Sequence, residues 1–131
     1  MRKWTGRLIA AQSVLALTMA GLTGGATVAN AASQSLRDCY GDSHSYSAPT
    51  GSGRYPVGRY LKTTSSCANI SIKPKTNRYV RVCWASTGNC TDWFTYARGG
   101  SWTILEFDIP NGVRFWFDFR SVAASKGRWA A

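Results

Sequence analysis

Val113-Arg114-Phe115-Trp116-Phe117-Asp118-Phe119-Arg120 alternates without a break. In an extended chain, successive side chains point to opposite faces. Val113, Phe115, Phe117 and Phe119 therefore share one side, and Arg114, Trp116, Asp118 and Arg120 share the other. One face is apolar and the other charged, as expected for a half-buried strand in an antiparallel sheet. The neighbouring stretches repeat this pattern. Upstream, Pro110-Asn111-Gly112 is a turn, preceded by Leu105, Phe107 and Ile109 alternating with Glu106 and Asp108. Arg98-Gly99-Gly100-Ser101 is a tight turn after the aromatic and β-branched stretch from Thr91 to Ala97. Val80, Val82 and Trp84 alternate with Tyr79, Arg81 and Cys83; Ala68, Ile70 and Ile72 alternate with Asn69, Ser71 and Lys73, ending at Pro74. Tyr55 to Thr63 reads as a first or edge strand with Pro56 at its start. Turn signals recurring roughly every 8 to 12 residues predict an all-β fold: an antiparallel β-sandwich or small barrel of about six to seven strands.

The chain opens differently. Arg2, Lys3 and Arg7 precede an apolar run from Leu8 to Leu22, and small residues then lead to Ala29-Asn30-Ala31. This is the layout of a secretory signal peptide with an A-x-A cleavage site over residues 1–31. The apolar run is too short and too interrupted for a stable transmembrane helix of about 20 residues. The expectation is a secreted, extracellular protein beginning near Ala32, with about 100 residues and hence one domain. Within it, residues 32–53 are rich in Ser, Gly, Asp and Tyr, with Leu36 almost the only aliphatic. They read as an extended or irregular arm tethered by Cys39. Residues 54–120 form the β-body. The tail, residues 121–131, either frays or docks through Trp129.

Cys39, Cys67, Cys83 and Cys90 all follow the signal. In an oxidising compartment they read as two disulfides. The turn-like Ala85-Ser86-Thr87-Gly88-Asn89 favours Cys83 with Cys90, which leaves Cys39 with Cys67. On chain entropy alone, the short loop would contribute about 2.5 kcal/mol and the long one about 3.6 kcal/mol. The spacing does not suit paired C-x-x-C zinc knuckles. No cofactor is expected.

The net charge is +10, of which three positive charges sit in the leader. The remaining excess of about +7 suits adhesion to anionic extracellular polymers: teichoic acids, acidic polysaccharides, lipid headgroups or free nucleic acid. No basic run exceeds two residues, so nothing marks a specific nucleic-acid or heparin cluster.

Enzymatic chemistry finds little footing. His44, the sole histidine, lies beside Asp42, Ser43 and Ser45, but a flexible Ser/Gly-rich arm is a poor frame for a triad. No G-x-S-x-G elbow exists. Glu106 and Asp108, with Asp118 beside them, are the candidate carboxylates for glycosidase chemistry. Asp118 alternates with Arg114 and Arg120, so ion pairing across strands explains it equally. A non-enzymatic protein is expected.

The aromatic load points instead to binding. Trp116 projects from the charged side of its strand beside Arg114, and Tyr79 and Arg81 fall on the corresponding face of another strand. Outward Trp, Tyr and Arg are the residues of protein interfaces, and Trp can also stack on a sugar ring or a base. The segment Ala48 to Pro56, carrying Arg54 and Tyr55, can lie in a partner's groove as an added strand or enter a protease cleft. The predicted partner-binding set is Arg54, Tyr55, Tyr79, Arg81, Arg114 and Trp116.

In these features — the Ala-rich leader, the run Val80-Arg81-Val82-Cys83 with Cys90-Thr91-Asp92-Trp93, and Asn111-Gly112-Val113-Arg114-Phe115-Trp116-Phe117 — the chain resembles small exoproteins of filamentous actinobacteria. It is similar in size and layout to two groups, secreted proteinaceous enzyme inhibitors and the small adaptor subunit of umbrella-shaped toxin particles. The adaptor resemblance implies a protein joining a toxin stalk to lectin-bearing subunits, with residues 33–58 as its arm. The inhibitor resemblance implies a target protease or amylase. A carbohydrate or cell-wall binding module is the remaining reading.

Overall fold

The computed structural model describes residues 35–131; the expected signal peptide and the first residues of the expected arm lie outside them. A short helix over residues 35–41 is followed by nine strands. They are β1 (His44–Ala48), β2 (Arg54–Tyr55), β3 (Leu61–Lys62), β4 (Ile70–Pro74), β5 (Arg78–Trp84), β6 (Thr95–Ala97), β7 (Thr103–Glu106), β8 (Arg114–Phe119) and β9 (Ser125–Ala130). All pairings are antiparallel. One sheet has the order β1-β9-β4-β7; the other has β2-β8-β5-β6, with β3 also pairing β8.

The core lies between these sheets, and parity decides its membership. β8 sends Phe115, Phe117 and Phe119 inward, and β5 sends Val80 and Val82. From the facing sheet come Tyr46 and Ala48 of β1, Ile70 and Ile72 of β4 and Trp129 of β9. Trp129 meets Phe115 and Phe117 edge-on, with ring centroids 6.1 and 6.4 Å apart, an arrangement favoured by the aromatic quadrupole. The Tyr46 hydroxyl is buried, which pushes its pKa up, and it shares a 2.9 Å hydrogen bond with Ser125 Oγ.

Several segments depart from expectation. The segment read as an arm is extended from His44, but as β1 it lies in the sheet against β9. Its alternation is short and its outward positions are serines, so the apolar signal reduces to Tyr46 and Ala48. The tail docks: β9 is an inner strand between β1 and β4. Its inward residues include Ser125 and Gly127, which carry no hydrophobic signature. Gly127 is required there, since a Cβ would sit 2.7 Å from Pro74 Cα and 2.8 Å from Tyr46 Cε1. Tyr55 to Thr63 forms two short strands rather than one, both on β8. Of Thr91 to Ala97, only the last three residues are strand. The Leu105-Phe107-Ile109 alternation stops at Glu106, because Asp108 takes a left-handed backbone with φ 54° and leaves Phe107 exposed.

Both favoured disulfides are present, Cys39–Cys67 and Cys83–Cys90. The first holds the helix against the outer side of the four-stranded sheet, over Ala130 and beside stacked Tyr40 and Trp102. The second closes a hairpin whose two cysteines face each other as an isolated bridge. Thr63 secures the Pro110–Gly112 turn: its Oγ1 donates to Pro110 O at 2.7 Å and accepts from Val113 N at 2.8 Å. Among the described residues no helix is long and apolar enough to cross a membrane.

Because Trp129 joins the two layers, Trp129→Ala is expected to cost about 3–5 kcal/mol. Chemical denaturation would show it, and a loss below about 1 kcal/mol would mean the tail does not carry the core.

Candidate functional site

The outer face of the five-stranded sheet gathers aromatic and cationic side chains into one layer. β8 contributes Arg114, Trp116, Asp118 and Arg120 follows it, because Phe115, Phe117 and Phe119 point the other way. In β5 the same parity turns Tyr79 and Arg81 outward while Val80 and Val82 are buried. Register then sets the neighbours. Asp118 stands opposite Arg54 on one side and Arg81 on the other. Tyr79 stands opposite Tyr96 of β6.

Three clusters follow along the face. At one end, the Arg54 guanidinium lies 4.3 Å from the centre of the Trp116 ring and 5.8 Å from that of Tyr60. Arg54 is also held by its own loop, donating from Nε to Pro56 O at 2.9 Å and from Nη2 to Arg59 O at 3.4 Å. Arg114 approaches the other side of the cluster, 6.0 Å from Tyr60. In the middle, Arg81 Nε donates to Asp118 Oδ2 at 2.7 Å while its guanidinium covers Phe94 at 4.5 Å. At the far end, Arg120 lies 3.8 Å over Tyr79, which meets Tyr96 edge-on. Exposed guanidinium–aromatic contacts contribute about 0.5–1 kcal/mol each, and the half-exposed ion pair about as little. Their larger effect is to hold side chains still.

Of the six residues predicted to bind a partner, Arg54, Tyr79, Arg81, Arg114 and Trp116 lie on this face. Tyr55 does not: it follows Arg54 in β2, so it points inward and packs against the core beside Tyr46. Arg54 belongs to a strand rather than to a projecting loop. Tyr60, Phe94 and Tyr96 join the layer unforeseen. Tyr60 and Phe94 sit outside strands, where alternation gives no signal, and Tyr96 occupies a strand of three residues. Tyr60 and Tyr96 are each 48% exposed, and Trp93, in the loop before β6, is 82% exposed. Beside the face, a depression of about 680 Å³ is lined by Arg81, Trp84, Asn89 and Asp92 among others.

The catalytic candidates do not assemble. Asp42 Oδ2 accepts from Ser66 Oγ at 2.6 Å, Ser43 Oγ accepts from Arg128 Nε, and the His44 ring lies against Trp129. Glu106 and Asp118 stand on different sheets, and Asp108 lies beyond the end of β7. Among the described residues, the metal-type grouping is Cys83, Cys90 and Asp118; its two sulfurs are bonded to each other, so it offers one carboxylate and no thiolate.

Partial burial pushes the Glu106 carboxyl above its ordinary pKa. The folded protein therefore holds this proton more tightly than the unfolded chain, and Glu106 weakens the fold as pH rises through and just above the ordinary glutamate range. Glu106→Gln should raise Tm relative to the parent more at pH 7 than at pH 4; an equal effect at both would remove Glu106 from the balance. No protein-family model, curated protein or solved structure matches this chain, so its function is read from these residues themselves.

Proposed function

We propose that this chain is a secreted, non-enzymatic protein-binding subunit, an adaptor within an extracellular complex. The outer face of its five-stranded sheet meets the partner. The observation that carries the reading is the fixed Arg–aromatic layer running from Tyr60 and Trp116 to Tyr79 and Tyr96. Trp, Tyr and Arg dominate the energetics of protein interfaces. Side chains already held in place lose less entropy on binding, so more of the contact energy appears as affinity. The two disulfides suit an oxidising, extracellular setting.

The carbohydrate reading is less well supported. Trp116 is a poor sugar platform, because its ring is half-buried, with the Arg54 guanidinium at 4.3 Å and Tyr60 packed beside it. The inhibitor reading loses its reactive loop, because Arg54 is engaged by Trp116, Pro56 and Arg59. A toxin complex as the setting, and the residues before 35 as a further contact, belong to the proposal through the resemblance alone.

The oxidised protein should capture a secreted partner from the producer's culture medium in stoichiometric amounts. Trp116→Ala should weaken that capture by about 2 kcal/mol, or roughly thirtyfold, and Tyr96→Ala should weaken it measurably, with both variants still melting cooperatively. Capture that survives both substitutions unchanged would place the interface elsewhere.

A further inference from the structure

The four-stranded sheet carries a second, chemically different surface. Register places Arg128 of β9 directly between Ser45 of β1 and Lys73 of β4, and Lys126 opposite Ser47. Lys75 follows β4, its amide donating to Lys126 O at 2.8 Å. Ser45, Lys73, Lys75 and Arg128 line a cavity of about 400 Å³, together with Pro74, Gly100 and Gly127. Three of the lining residues are cations and none is acidic. Gly100 adds no side chain, so that part of the floor stays at backbone level.

Like charges directly opposite one another on paired strands repel and weaken a sheet. Lys73 facing Arg128 is such a pair, and no carboxylate in the cavity offsets it. Arg128 is nonetheless held in place: Nε donates to Ser43 Oγ at 2.8 Å, Nη2 to Ser43 O at 2.7 Å and Nη1 to Ser45 Oγ at 3.3 Å. A guanidinium has five N–H groups, so one remains on each terminal nitrogen for an oxyanion. The two lysines complete a preformed cationic cleft of a size that holds one small ligand unit.

The lining also limits what the ligand is. It contains no aromatic residue. Trp102, whose ring centre lies 5.9 Å from the Lys73 ammonium, is stacked face to face on Tyr40 at 4.3 Å. Single-stranded nucleic acid is held largely by stacking of its bases on aromatic rings, and this cleft offers no such platform. The chemistry on offer is charge, a serine hydroxyl and backbone polar groups.

We propose that this cleft binds a linear phosphodiester polymer of small polyols, one phosphate at a time, independently of the Arg–aromatic face on the opposite sheet. The test is equilibrium binding of the oxidised protein to poly(glycerol phosphate), beside single-stranded DNA, heparin and a neutral glucan. The expected result is binding to poly(glycerol phosphate) tighter than to the other three and falling steeply with salt. Lys73→Gln/Lys75→Gln should weaken it about tenfold or more, with a melt no lower than the parent's because the Lys73–Arg128 repulsion is relieved, while Trp116→Ala leaves it intact. Lys75 is exposed, so Lys75→Gln alone serves if the double variant does not fold; it should weaken binding severalfold. No binding to poly(glycerol phosphate), or binding that the lysine variants leave unchanged, overturns the proposal. Equal or tighter binding to DNA, heparin or the glucan overturns the assignment to a polyol phosphate.

Discussion

Trp129 set edge-on between Phe115 and Phe117 is the contact on which the architecture depends. It brings together two strands that belong to different sheets, and so makes a two-layer protein out of two ribbons. Once the three rings meet, the inward parity of β8 and β9 is set, and with it every outward residue on both strands. A slip of one residue in either strand would exchange its buried and exposed faces. The Arg–aromatic layer exists because the phenylalanines of β8 point inward, and the cationic cleft exists because Trp129 does.

The two surfaces differ in how they handle charge. On the five-stranded sheet the guanidinium groups of Arg54, Arg81 and Arg120 rest on rings, and Arg81 also pairs with Asp118, so these cations are internally engaged and the layer presents shape and aromatic area. On the four-stranded sheet Arg128 is oriented by serine oxygens, which fix its position without neutralising it. The same residue type thus stacks on aromatic rings in one place and stands uncompensated in a cleft in the other. What differs is the neighbour that register supplies.

The disulfides divide their work in a similar way. Cys83–Cys90 closes a local hairpin at the end of β5, next to the depression beside the Arg–aromatic face. Cys39–Cys67 joins segments 28 residues apart and holds the helix over Ala130, so the chain enters β1 from a defined position. That anchoring matters because β1 is an edge strand with only two core side chains of its own, Tyr46 and Ala48.

The sequence by itself determined the all-β class, the inward and outward sides of β5 and β8, and the disulfide partners. Each is a local property: strict alternation over several residues reveals a strand's two faces, and a short turn between cysteines brings them within reach. It also pointed to five side chains that share the outer face of the five-stranded sheet (Arg54, Tyr79, Arg81, Arg114 and Trp116), since outward parity is readable wherever the inward stripe is clear. Tertiary structure alone decided that residues 44–48 and 125–130 are strands, because serine, glycine and alanine at their inward or outward positions erase the hydrophobic period. It decided that Tyr55 turns inward, a matter of which of two adjacent residues β8 faces. It brought Tyr60, Phe94 and Tyr96 into the layer from loops and a three-residue strand. And it placed Lys73 beside Arg128, residues far apart in the chain that only sheet register makes neighbours. Alternation reports which side of a strand a residue occupies, while pairing across distant strands, set by the packing of the core, reports what stands beside it.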